Sequence, residues 1–145
     1  MEHTPFCKAG AARYTIEGRP VPLARARHGN RRCWDAQKHL KTGIGISLRN
    51  QHGNSPQYAG PCYLEVVFFF GMPKAMSLKK KAESVGKPYL SRPDLDNLIK
   101  FVLDVATGIL FEDDAIFVAI NATKMYGPYE QTVFSIKPFH EVNHE

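Results

Sequence analysis

Cysteine is scarce in this sequence: Cys7, Cys33 and Cys62 are odd in number, far apart and never in a Cys-x-x-Cys pair. That spacing supports neither a disulfide framework nor a zinc site and fits a reducing compartment. Long apolar runs are missing too. The greasiest, Val66-Val67-Phe68-Phe69-Phe70, is far too short to span a bilayer, and the opening MEHTPFCKAG lacks the apolar stretch of a signal peptide. A soluble protein of the cytoplasm is expected. The histidines His3, His28, His39, His52, His140 and His144 are scattered and suggest no triad. No internal repeat is visible.

What is present is enough apolar content for one core. At 145 residues and 43% hydrophobic, the chain reads as a single domain spanning 1–145, with 1–11 and 140–145 expected to be flexible ends. Lys plus Arg outnumber Asp plus Glu by 19 to 14, a net charge of +5 that favours a polyanionic partner. The charge is segregated. Arg13, Arg19, Arg25, Arg27, Arg31, Arg32, Lys38, Lys41 and Arg49 crowd the first third, whereas Glu112, Asp113 and Asp114 crowd a later turn.

The hydrophobic pattern predicts a short strand over 13–18 that stops at Gly18-Arg19-Pro20, followed by a Pro- and Arg-rich loop. A helix capped by Asp35 is expected to run towards Arg49, with Ala36, Leu40, Ile44 and Leu48 at one-turn spacing, weakened by Gly43 and Gly45. The β-branched and aromatic run from Cys62 to Phe70 predicts a core strand buried on both faces. Ser77 can cap a short helix carrying Lys79, Lys80 and Lys81. A helix over 96–107 ends at Gly108, a strand covers 115–125, and Tyr126-Gly127-Pro128-Tyr129 turns it into a final hairpin whose second strand covers 132–137. The expected fold is α+β: one mixed sheet of about four strands packed against two main helices.

The chemistry concentrates in RPDLDNLIK, residues 92–100. At about 100° per residue, Asp96, Lys100, Asp104, Asn97 and Thr107 share one arc of a helix that is otherwise apolar, so the charged stripe must face a cleft or solvent. Bland roles exist for each residue. Either aspartate, Asp94 or Asp96, can cap the helix for roughly 0.5–2 kcal/mol, and Asp96 can pair with Lys100 one turn on for about 0.3–0.5 kcal/mol. Asp113 and Asp114 can be a polar turn before a strand. Together the residues suggest more, because the short connection from helix to strand can bring Asp114 towards Asp94 and Asp96. Carboxylates without His or Cys select a hard cation such as Mg²⁺ or Mn²⁺, and such an ion in a basic protein suggests phosphodiester chemistry.

The pattern Pro-Asp-x-Asp-Asn-x-x-Lys, then Leu-Asp, a Gly and Asp-Asp before a strand resembles the RusA family of Holliday junction resolvases. The likeness extends to YTIEGRPVPLARAR with Trp34-Asp35 before a helix, and to SLKKKAES upstream of the motif. The resemblance implies a homodimeric, Mg²⁺-dependent endonuclease, with Mn²⁺ able to substitute, that nicks four-way DNA junctions symmetrically in recombination and repair. It implies a bacterial cytoplasmic protein of chromosomal or phage origin, with no membrane and no small-molecule cofactor among its partners. The family's essential acids fall on Asp94, Asp96 and Asp114, its lysine on Lys100, and one departure is Ile116, where relatives often carry Gln. Candidates for contacts to DNA are Arg25, Arg27, Arg31, Arg32, Lys79, Lys80, Lys81 and Asn97. A non-catalytic basic DNA-binding module explains the charge but leaves the carboxylate stripe without a purpose. A restriction-type nuclease is disfavoured because Lys100 belongs to a helix rather than to an acid-x-Lys strand.

Overall fold

The computed structural model describes residues 13–25, 27–29 and 32–140, with the backbone alone for Arg27, His28, Arg32 and Cys33. Its elements in chain order are β1 (Tyr14–Glu17), β2 (Arg27–Gly29), β3 (Arg32–Trp34), α1 (Lys38–His52), β4 (Cys62–Phe70), α2 (Leu78–Ser84), α3 (Leu95–Ala106), a 3-10 turn (Asp114–Ile116), β5 (Phe117–Tyr126) and β6 (Gln131–Pro138). A mixed four-stranded sheet has the order β1-β6-β4-β5, parallel between β4 and β5 and antiparallel elsewhere. This is the expected α+β architecture, with α1 and α3 as the main helices. Expectations about the two ends concern residues outside the described ones, His140 excepted. No helix among the described residues is long and apolar enough to cross a membrane.

Strand β4 organises the sheet, though not as the sequence suggests. Its residues alternate: Cys62, Leu64, Val66, Phe68 and Phe70 are buried, while Tyr63, Glu65, Val67 and Phe69 are only half-buried. The run is apolar on both faces, but Leu98, Phe101, Val102, Val105 and Ala106 of α3 join the core on one face alone. A second correction concerns the end of the chain. The sequence predicts a hairpin of β5 with β6, yet β4 lies between them, pairing with β5 on one side and β6 on the other. Parallel pairing of β4 with β5 needs a crossover, which the α3 segment supplies, and the most apolar strand takes the centre.

Local chemistry sets the remaining ends. Helix α1 begins at Lys38 rather than at Asp35, whose carboxylate instead accepts from the Gln37 N–H (2.8 Å) and holds the entering turn. It continues to His52 and stops at Gly53, whose φ of 67° suits glycine. Gly45, a poor helix former, is buried where a Cβ would meet Ile109 at 2.8 Å, so its small size permits close approach to the segment after α3. Ser77 caps α2 as expected, accepting from the Lys80 N–H at 3.2 Å. The Arg-rich loop contains a ribbon that the sequence did not suggest: β2 pairs with β3, and residues 30–31 between them lie outside the described ones.

A buried polar chain joins β1 to α1. Tyr14, fully buried, places its hydroxyl 2.7 Å from His52 Nδ1 and 2.9 Å from the Tyr58 hydroxyl, and His52 Nε2 lies 3.0 Å from the Pro56 carbonyl. One proton arrangement satisfies these contacts: His52 Nε2–H donates to Pro56, Tyr14 O–H donates to Nδ1, and Tyr58 O–H donates to Tyr14. Burial, then the Tyr58 hydrogen bond, pushes the Tyr14 pKa well above the usual phenol range. Tyr14→Phe keeps the ring but leaves His52 Nδ1 buried without its donor. It should cost about 1–3 kcal/mol, read as a lower urea midpoint with an unchanged denaturant slope.

Candidate active site at the start of the third helix

Helix α3 presents its apolar face to the core and leaves its first turn at the surface. Leu98, Phe101, Val102, Val105 and Ala106 are buried, whereas Asp94, Asp96, Lys100 and Asp104 are exposed. Asp94 occupies the N-cap position in an extended conformation (φ −71°, ψ 144°), but its side chain makes no capping hydrogen bond. Asp96 and Lys100 do not form the ion pair that their spacing allows, and among the described residues neither has a side-chain partner. The bland roles open to these groups are therefore unfilled.

Asp104, on the same stripe, has a structural task instead. Its carboxylate lies 2.8 Å from Lys41 Nζ, and Lys41 also bridges to Asp35, tying α1 to α3. Burial pulls the Lys41 pKa down, but the hydrogen bonds it donates to Asp104 and Asp35 outweigh this and the net shift is upward. The Lys41 ammonium, followed by the Gln37 N–H, holds the exposed Asp35 carboxyl below its ordinary range.

The segment that delivers Asp94 to α3 is held by residues the sequence reading did not single out. Tyr89 stacks on Phe70 with ring centres 4.1 Å apart and planes 5° apart, and its N–H donates to the Lys124 carbonyl at 3.1 Å. Its hydroxyl accepts from Arg19 (3.3 Å) and donates to the Arg92 carbonyl (3.4 Å). Lys124 Nζ donates to the carbonyls of Ser91 and Pro93, both at 2.8 Å, and lies 5.7 Å from the Tyr89 ring centre. Arg19 lies over the Phe70 ring and pairs with Glu130 at 3.3 Å. The Tyr89 hydroxyl raises the Arg19 pKa against some desolvation, and Glu130 adds to the rise. A lysine on an alternating strand gave no sequence signal, because its partners are backbone carbonyls more than thirty residues away.

Asp114 lies at the other end of the helix. Asp113, its neighbour, accepts from the Ala115 N–H at 2.9 Å and caps the 3-10 turn, which leaves Asp114 without a described partner. Helix α3 runs antiparallel to β5: its entry is tied to Lys124 near the strand's end, and Phe111 beyond its exit packs on Phe117 at the strand's beginning. Its 12 residues span about 18 Å, and Phe117 to Lys124 spans about 23 Å at the rise of a strand. The approach of Asp114 to Asp94 and Asp96 expected from the short connection is thus not made within one chain. Among the described residues no three His, Cys, Asp or Glu side chains are grouped to hold a metal ion.

One group of basic candidates is docked at the start of α3. The Leu23 N–H donates to the Asn97 carbonyl at 2.9 Å, docking the strap that leads to the exposed Arg25 and the β2–β3 ribbon carrying Arg27 and Arg32. Arg31 lies outside the described residues. Helix α2 carries Lys79 and Lys80, both exposed, and the half-buried Lys81. The chain then runs along β5, where the Gly86 N–H donates to the Tyr126 carbonyl and the Tyr126 N–H to the Lys87 carbonyl.

Comparison with known proteins bears on this arrangement. Residues 17–137 match the family model described as endodeoxyribonuclease RusA. The chain is 30% identical over 124 residues to the uncharacterized protein YqaN of Bacillus subtilis (strain 168), covering 79% of this chain and 87% of that one. The matched span takes in Asp94, Asp96, Lys100, Asp114 and Lys124. Replacing Lys124 with Met keeps the aliphatic stem and deletes both hydrogen bonds to the 91–93 backbone. We expect the protein to fold, with faster amide hydrogen exchange in residues 90–94, and DNA cleavage to fall about tenfold or more through misplacement of Asp94.

Proposed function

The chain belongs to the RusA endodeoxyribonuclease family, and from that premise we propose that it is a Mg²⁺-dependent nuclease that resolves four-way DNA junctions by paired symmetric nicks. The observation that carries this reading is the idleness of Asp94, Asp96, Lys100 and Asp114, which decline the cap and ion pair their positions offer while Asp113 and Asp104 accept such roles. The donor set fits the ion. Asp94, Asp96 and Asp114 provide oxygen ligands only, the kind that suits Mg²⁺, with Mn²⁺ as a substitute.

When bound, Mg²⁺ lowers the pKa of a water and polarises the phosphodiester. Lys100, one turn after Asp96 on the same stripe, orients the attacking water or stabilises charge building on the phosphate oxygens. Arg25, Arg27, Arg31, Arg32, Lys79, Lys80 and Lys81 neutralise backbone phosphates on either side, with Asn97 beside them, and position DNA without reading its sequence.

The separation of Asp114 from Asp94 and Asp96 supports a further element of the reading. The protein works as a homodimer in which each site takes Asp94, Asp96 and Lys100 from one protomer and Asp114 from its partner. Closed two-fold symmetry then supplies the equivalent sites that symmetric nicking requires.

Four experiments test this. Asp96→Asn should fold, bind a four-way junction in EDTA as tightly as the native protein or more so, and lose Mg²⁺-dependent nicking by roughly 10²–10³-fold; Lys100→Ala should lose about 2.7–4 kcal/mol of transition-state stabilisation with little change in stability. Mixing Asp96→Asn with Asp114→Asn chains should restore about a quarter of native nicking, since half the dimers are mixed and each mixed dimer has one intact site. No recovery would place all three acids in one chain, and full activity of every variant would remove these residues from the catalytic site and leave the 92–100 segment a plain helix start. Arg25→Ala should weaken junction binding and lower the slope of log affinity against log salt by about 0.9.

A further inference from the structure

The sole tryptophan of the sequence, Trp34, stands at the surface, 47% exposed, and takes no part in the core. An indole is a large apolar group, and burial is its usual fate. Its support here is local. Trp34 lies opposite Arg27 in the β2–β3 ribbon, and Gly29, two residues on from Arg27, is its diagonal neighbour on the same face. A Cβ at Gly29 would come within 2.8 Å of the Trp34 ring, and the φ of Gly29 lies outside the left-handed region, so this glycine supplies room for the indole rather than a turn. The ring rests against Gly29 and leaves nearly half of the residue in solvent.

The ribbon joins no other strand among the described residues, and its stem is tied to the two main helices. Before the ribbon, the Leu23 N–H donates to the Asn97 carbonyl at 2.9 Å. Gln37 holds the same strap, donating to the Pro22 carbonyl (2.9 Å) and accepting from the Ala24 N–H (3.0 Å). After the ribbon, Asp35, the neighbour of Trp34, is linked through Lys41 to Asp104. Asn97 and Asp104 bracket Lys100 and lie about 10 Å apart along α3, so the stem follows the stretch of helix that carries Lys100. The surroundings are cationic: residues 25–34 hold four arginines and no acid.

We propose that Trp34 is the residue that selects branched DNA, stacking its indole on a base face left uncovered at the branch point while the arginines of the ribbon hold the backbone. The inference rests on the nuclease reading for its substrate and deepens it by saying what the site recognises. In a linear duplex both faces of each internal base pair are covered by their neighbours, and a protein meets only groove edges and phosphate. An open four-way junction leaves one face of each base pair at the branch uncovered, and an aromatic side chain gains roughly 5–100-fold in affinity for each base it covers. Phosphate contacts from arginine do not make that distinction, since every DNA offers them. Leu78 and Leu90 are exposed too, but an aliphatic side chain has no π face for a base. Tyr129 has one, yet it is followed by Glu130, whose charge repels phosphate.

A single tryptophan makes the test direct, because emission excited at the red edge of the absorption band, where tyrosine does not absorb, reports on Trp34 alone. The full chain in EDTA, which prevents cleavage, is titrated with a four-way junction and with a long linear duplex of the same sequence. The junction should quench the emission by about half or more at saturation, and the duplex should bind with little quenching. Trp34→Leu, with folding checked by far-UV circular dichroism, should bind the junction about tenfold or more weakly and the duplex as the native protein does, while Trp34→Phe, which keeps a π face, should recover most of the loss. Junction binding that leaves the emission unchanged overturns the proposal, as does native junction affinity in Trp34→Leu or an equal loss on junction and duplex. So does an emission shift on diluting the DNA-free protein, which would place Trp34 in a contact between copies. Selective quenching in a protein that never nicks in Mg²⁺ upholds the stacking and refutes the nuclease reading instead; Mg²⁺-dependent junction nicking with an unmoved emission does the reverse.

Discussion

The packing of α3 on the buried face of β4 is the constraint on which the rest depends. Leu98, Phe101, Val102, Val105 and Ala106 join Leu64, Val66 and Phe68 in one core, and side chains of this size contribute roughly 1.5–3 kcal/mol each when fully buried. That face of the helix cannot turn away without exposing them. Because α3 bridges two parallel strands, it must run back against β5, which puts its first turn at one end of the sheet and the Asp113-Asp114 turn at the other. The separation of the acids follows from the connection, not from any local preference of the aspartates.

With the helix fixed, its entry is held without the side chains of Asp94 and Asp96. Asp94 and Asp96 could have served as caps, and the protein instead secures this end from outside the motif. Tyr89 is clamped on Phe70, and Lys124 gathers the carbonyls of Ser91 and Pro93. The opposite end shows the same division of labour, where Asp113 caps the turn and Asp114 is left free. Along the α3 stripe, Asp104 is committed to Lys41 while Lys100 is not. Each structural role is filled by a neighbour of the residue that the family pattern marks, which leaves the marked charges without a structural partner among the described residues.

The edge of β5 and the divided carboxylate set express the same geometry. An edge strand with unpaired peptide groups and exposed Val118 and Ile120 is a liability in a lone molecule. Residues 86–89 cover the far half of that edge.

The sequence alone determined whatever depends on neighbours along the chain. The apolar spacing gave α3 and its end near Gly108, Ser77 marked the cap of α2, and the run from Cys62 to Phe70 marked the central strand. The family pattern pointed to Asp94, Asp96, Lys100 and Asp114. Tertiary structure alone decided which strands are neighbours, since the Tyr126–Tyr129 turn is compatible with a hairpin until β4 claims both partners. It also decided which face of β4 is covered, and it revealed Lys124 and Tyr89, whose partners are set by the fold rather than by spacing. Hydrophobic period and capping act within a few residues, whereas strand order and the distance between two carboxylates at opposite ends of a helix are settled only when distant segments compete for the same core.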